Sequence, residues 1–134
     1  MNISSFDDLL QAARAQPQPQ RLLFVFAGVE LPEDSTSEQA ASFAGGEGGA
    51  LVPLMVVDKD AAELPDFDAL ARESRQFNQD WCIVFAAALS GSNNRAPTRS
   101  DAEQPLQRMV ESIRQGTHAA FMPFDRQGQT VLFQ

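Results

Sequence analysis

The stretch Ser90 to Ser100, "SGSNNRAPTRS", holds the residues whose types and spacing come nearest to chemistry. Arg95 and Arg99 are two guanidiniums four residues apart, and a guanidinium grips phosphate or carboxylate through paired hydrogen bonds. Ser90 and Asn94 add a hydroxyl and an amide nearby. The stretch leaves the apolar run "WCIVFAAAL" and enters an amphipathic one, so it reads as a loop from a strand end to a helix N-terminus. Open α/β sheets bind ligands at such ends, and free N–H groups there attract anions. Against this, Asp101 and Glu103 put negative charge where an anion would sit, and the loop has no Gly-Lys-Ser/Thr. The plainer alternative is a solvated hinge in which Ser100 or Asp101 caps the helix. Ser90, Asn94, Arg95 and Arg99 are therefore the candidate ligand-binding set, for an anion or nucleotide-type ligand.

Other chemistry-bearing residues are sparse. His118 is the single histidine, and it follows an expected helix end at Gly116, where an imidazole can meet the last carbonyls. Cys82 is the single cysteine, so an intrachain disulfide and a cysteine metal cluster are excluded. Its neighbours Trp81 and Ile83 make it a small hydrophobe in a strand. "GGEGGA" fails the dinucleotide fingerprint, because it precedes a strand and has Leu51 at the third glycine. Asp58, Asp60, Glu63, Asp66 and Asp68 offer oxygens, but without calcium-loop order; Asp66 and Asp68 suit a helix N-terminus instead. "ALSGS" is not a nucleophile elbow. These residues assign no catalytic set, metal or cofactor.

The elements that must position the loop follow from periodicity. Phe6, Leu9, Leu10 and Ala13 form a helical stripe, with Ser4 or Ser5 as N-cap, and "AQPQPQ" ends it. "RLLFVFAGV", "ALVPLMVVD" and "WCIVFAAAL" are continuous apolar runs, the pattern of strands buried on both faces. Pro53 argues for an edge position of the second or for a place among that strand's first residues. Ser35 and Glu38 have capping-box spacing, predicting a helix near 36–44. Phe67, Leu70, Ala71, Ser74 and Phe77 share one face of another helix, and Leu106, Met109, Val110 and Ile113 one face of the last. "AAFMPFD" and "TVLFQ" flank "RQGQ" as a C-terminal hairpin.

Strands alternating with helices predict a single α/β domain over residues 1–134: a layered sandwich whose mixed, mostly parallel sheet of about five strands carries helices on its faces. The alternative is α+β, with the first two strands pairing antiparallel. The expected core includes Leu23, Val25, Val56, Ile83, Phe85 and Val110.

Charge narrows the partners. The chain carries −8, and residues 30–80 hold twelve acids against Lys59, Arg72 and Arg75. Nucleic acid and anionic membranes are poor partners for such a surface. The longest apolar run, Trp81 to Leu89, falls well short of the ~20 residues of a membrane span, and "MNISSFDDLL" lacks a signal-peptide pattern. The expectation is a soluble, acidic, cytoplasmic protein acting through a protein partner. The hairpin edge "TVLFQ" is a place where two copies could pair as a homodimer.

"SFDDLLQAARAQPQPQRLLFVFAGVELP", "GGALVPLMVVDK", "PLQRMVESIRQG" and "FMPFDRQGQ" resemble a family of short bacterial proteins of unknown function, sometimes labelled ribonucleotide reductase subunit alpha. The label implies a large barrel with one radical cysteine and a further pair that supplies electrons. With Cys82 alone, no functional residue of the reductase carries over to a position here, and the chemistry does not support the label.

Overall fold

Local signals start each helix where the chain offers a cap. In the computed structural model, which describes residues 5–30, 50–77, 81–115 and 121–131, α1 spans Phe6–Arg14. Ser5 caps it by accepting from the Asp8 N–H at 3.3 Å. α2 (Phe67–Arg75) begins at Asp66, whose carboxylate accepts from the Ala69 N–H at 2.9 Å. Thr98 opens α3 (Arg99–Gln115), where Asp101 and Thr98 exchange bonds: the Thr98 N–H donates to Asp101 Oδ2 at 2.9 Å and the Asp101 N–H to Thr98 Oγ1 at 3.1 Å. The cap is thus Thr98, with Asp101 in the reciprocal position three residues on, rather than Ser100 or Asp101 alone. The helix also begins well before its apolar stripe and runs through Pro105, whose ring removes one helical donor.

The strands are β1 (Gln20–Glu30), β2 (Ala50–Asp60), β3 (Ile83–Ser90) and β4 (Met122–Phe124), in the order β2-β1-β3-β4. Every pairing is antiparallel. The expected mostly parallel sheet of about five strands is therefore overturned; the described residues hold one four-stranded antiparallel sheet. The first two strands pair antiparallel, as in the α+β alternative, so the chain between them is no crossover in the sheet. β2–α2–β3 does form a split unit, with β2 and β3 running the same way and β1 inserted between them.

Two apolar layers explain why the strands read as continuous hydrophobic runs. On one face Leu22, Phe24 and Phe26 meet Phe6 and Leu10 of α1 and Phe67 and Leu70 of α2. The opposite face sets Leu23, Val25, Ile83 and Phe85 against Ala102, Leu106, Met109 and Ile113 of α3. Helices do lie on both faces, as expected. Antiparallel strands covered on both sides give the same unbroken apolar signature as parallel ones.

Phe6 is the hub of the first layer, with ring centroids 5.2 to 5.5 Å from Phe24, Phe67 and Phe124. Trp81 is buried there too, edge-on to Phe26 at 4.9 Å. Its indole N–H donates to Ser74 Oγ at 2.9 Å, and Ser74 donates to the Ala71 carbonyl at 2.6 Å. That pairing accounts for a serine on the buried face of α2.

Several expectations for single residues are corrected. Leu23, Val25, Ile83 and Phe85 are buried, but Val110 is only half-buried and Val56 is 47% exposed, because β2 is an edge strand that α3 does not fully cover. Phe77 lies beyond the end of α2 and is exposed. Cys82 precedes β3 and is half-buried, its N–H donating to the Ala27 carbonyl at 2.9 Å. The hairpin turn forms at Asp125–Gln129, while its second arm is reduced to single bridges such as Phe124 with Thr130. The expected helix at 36–44, "GGEGG", Gly116, His118 and the last residues of "TVLFQ" lie outside the described residues.

Candidate functional site

The loop after β3 is folded tightly by its own backbone. Ser92 and Arg95 exchange N–H to carbonyl bonds of 3.1 and 2.9 Å, closing a two-residue turn over Asn93 and Asn94. Both turn residues have positive φ, 53° and 62°, the pattern of a type I′ turn, which asparagine tolerates better than most residues. Gly91 is required by space: a Cβ there would lie 2.0 Å from the Arg95 carbonyl oxygen. Gln18 accepts from the Asn94 N–H at 2.8 Å, and the Gln20 amide donates to Ser90 Oγ at 3.0 Å. The loop is thereby tied to the chain entering β1.

An open cavity of about 750 Å³ lies along this loop, lined among others by Ser90, Asn93, Arg95, Pro97 and Asp101. Of the four residues expected to bind a ligand, Ser90 and Arg95 line it. Asn94 and Arg99 do not. The contribution visible for Asn94 is conformational, through its φ and its backbone N–H. The 82% exposed Arg99 leaves the cavity and reaches to 3.9 Å from Asp58, which is already clasped by Arg21. The two arginines are therefore not brought onto one anion. Asp101 faces the same cavity, and its two bonds from Thr98, the backbone bond foremost, hold its carboxyl below the usual carboxylate range. The α3 N-terminus already carries a fixed negative charge of its own.

The acids of 58–68 are engaged separately. Asp58 pairs with Arg21, Asp60 accepts from the Ala62 N–H at 3.0 Å, and Asp66 caps α2. No metal-binding group of three or more such residues occurs among the described residues.

A second depression, of about 520 Å³, was not foreseen because its central residue, Val56, was read as core. It runs between β2 and α3, with Val56, Leu106 and Val110 as the apolar lining and Glu103 and Glu111 as its acids. A bulge shapes it. Phe26 pairs with Met55 and Ala27 with Pro53, leaving Leu54 without a partner. Leu54, Met55 and Val57 pack in the α1/α2 layer, while Leu51 packs in the α3 layer and Val56 and Asp58 also lie on the α3 side. The visible signal in the sequence was Pro53, the mark of an edge strand, whose outward neighbours are less completely covered.

Comparison with protein-family models, with curated proteins and with solved structures gave no match. No helix among the described residues is long and apolar enough to cross a membrane.

Proposed function

We propose that the chain is a non-catalytic domain that acts by binding another protein, and that the groove between β2 and α3 is where it binds. The observation carrying this reading is Val56. It is a large apolar side chain, nearly half exposed, in the middle of β2, an edge strand among the described residues, and it lines one depression with Leu106 and Val110. An apolar strip with a charged margin is the usual anatomy of a protein interface. Glu103 and Glu111, on a chain of charge −8, favour a partner with a basic rim.

Ligand binding at the loop is the second reading, and Arg95 on a cavity of this size is what favours it. Two variants separate the readings. Val56→Asp should lose a protein retained from cell extract by the wild type, whereas Arg95→Glu with Arg99→Glu should keep it. A thermal-shift screen of wild type with phosphate, sulfate, nucleotides and divalent metals completes the test. A melting rise lost only in the arginine double variant would move the function to the loop.

A further inference from the structure

We infer that the open edge of β2 takes up an extended, basic segment of a partner protein as an added strand, with alternate side chains of that segment seated in the Val56 groove. The inference rests on the protein-binding reading and specifies how the groove is used.

β2 is long, and among the described residues its only strand partner is β1. An edge strand turns half of its N–H and C=O groups outward, where an incoming strand can pair with them. The groove lies beside that edge and on one face of it, with Val56 joining the two. A strand laid along β2 presents every second side chain to the α3 side, and these fall over Val56, Leu106 and Val110. The bulge at Leu54 helps, since it keeps both Leu51 and Val56 on that side despite their odd separation in sequence.

Charge chooses the occupant. Glu103 has no basic group within ion-pair distance among the described residues, and Glu111 is matched only by Arg114 at 3.4 Å in solvent. A second copy of this chain would bring another −8 and the same two glutamates to the groove. An extended segment whose α3-facing residues, every second one in its sequence, are in turn apolar and Lys or Arg instead offers cations to Glu103 and Glu111 while filling the apolar lining. Pro53 interrupts the outward row at one position, so pairing is expected over Leu54 to Asp60.

The probe is a blocked octapeptide, (Lys-Thr-Val-Thr)2, whose lysines and valines share one face of a strand, titrated into the wild-type chain and followed by amide and methyl NMR. Expected are shifts at the Val56 and Val110 methyls, slowed amide exchange at alternate residues of β2, and weakening with salt. Val56→Asp should weaken binding about tenfold or more, as for a central interface anchor. A (Glu-Thr-Val-Thr)2 peptide should not bind. Versions of (Lys-Thr-Val-Thr)2 N-methylated at the odd or at the even residues keep the side chains but each lose the donors of one edge, and one of the two should bind at least tenfold more weakly. If both methylated peptides bind equally well and β2 amides stay unprotected, strand addition is overturned while the groove remains a protein-binding site. If (Lys-Thr-Val-Thr)2 leaves the groove undisturbed, the inference is overturned, and the protein-binding reading stands or falls with the Val56→Asp retention test. Concentration-dependent dimerisation in sedimentation equilibrium, abolished by Val56→Asp, would assign the edge to a second copy and overturn the inference.

Discussion

At the scale of single residues, Val56 and Phe85 separate two positions that look alike in sequence. Each lies in an apolar run, yet Phe85 is fully buried under α3 and Val56 stands nearly half exposed. Truncating Phe85 to alanine should cost about 3–5 kcal/mol in a urea melt, because it removes a ring and leaves a cavity. Val56→Ala should stay within about 0.5 kcal/mol, as for a surface substitution. Equal losses would return Val56 to the core and remove the groove. Gly91→Ala is expected to cost about 1–3 kcal/mol, since the new methyl would strike the Arg95 carbonyl. Thr98→Ala should cost about 1 kcal/mol through loss of the α3 cap. The Asp101 bond adds a pH dependence. Its carboxyl titrates below the ordinary range when folded, so the unfolded chain takes up its proton first as acid is added. The stability it contributes is present above about pH 4 and fades as pH falls through the lowered value. Melts of wild type and Asp101→Asn should therefore differ at neutral pH and converge in acid.

At the scale of elements, the sequence disclosed where strands and helices lie better than how the strands run. α1, α2, β1, β2, β3 and the turn at Asp125–Gln129 all overlap the runs that periodicity marks out, the strands ending one or two residues beyond them. Direction was hidden because Leu22 to Ala27 are buried on both faces, and an unbroken apolar run reports two covers, not the sense of the neighbour. Pro53 allowed either an edge or a strand start, and among the described residues β2 is an edge strand. Nothing in the sequence signals the bulge at Leu54, since it arises from the pairing of β2 with β1. Of the candidate loop, the strand-end location was legible, but not the divergence of Arg95 and Arg99. That divergence depends on Asp58, a residue of another strand paired across from β1. The I′ turn offers a check at this scale: Asn94→Gly should leave the fold intact or slightly firmer, whereas Asn94→Val should cost about 1–2 kcal/mol.

For the whole molecule, two helical covers on one antiparallel sheet make β1 the spine, with β2 and β3 on its two sides and both apolar layers resting on it. The margin is held by contacts between distant parts of the chain. Arg14 donates to the carbonyls of Ala61 and Leu64, and Asp7 accepts from the Phe67 N–H at 3.1 Å. Gly128, at φ 79°, lies against the Phe67 ring and accepts from the Phe6 N–H at 2.7 Å. This last bond has a temporal consequence. Chains are made from the amino end, so α1 emerges early and the turn that completes its seat emerges only after β1, β2, α2, β3 and α3. Until then Phe6 can meet Phe24 and Phe67 but not Phe124 or Gly128, and closing that last side requires a loop spanning almost the whole described chain. The step that locks α1 in place, rather than its first docking on β1 and α2, should therefore come late in folding.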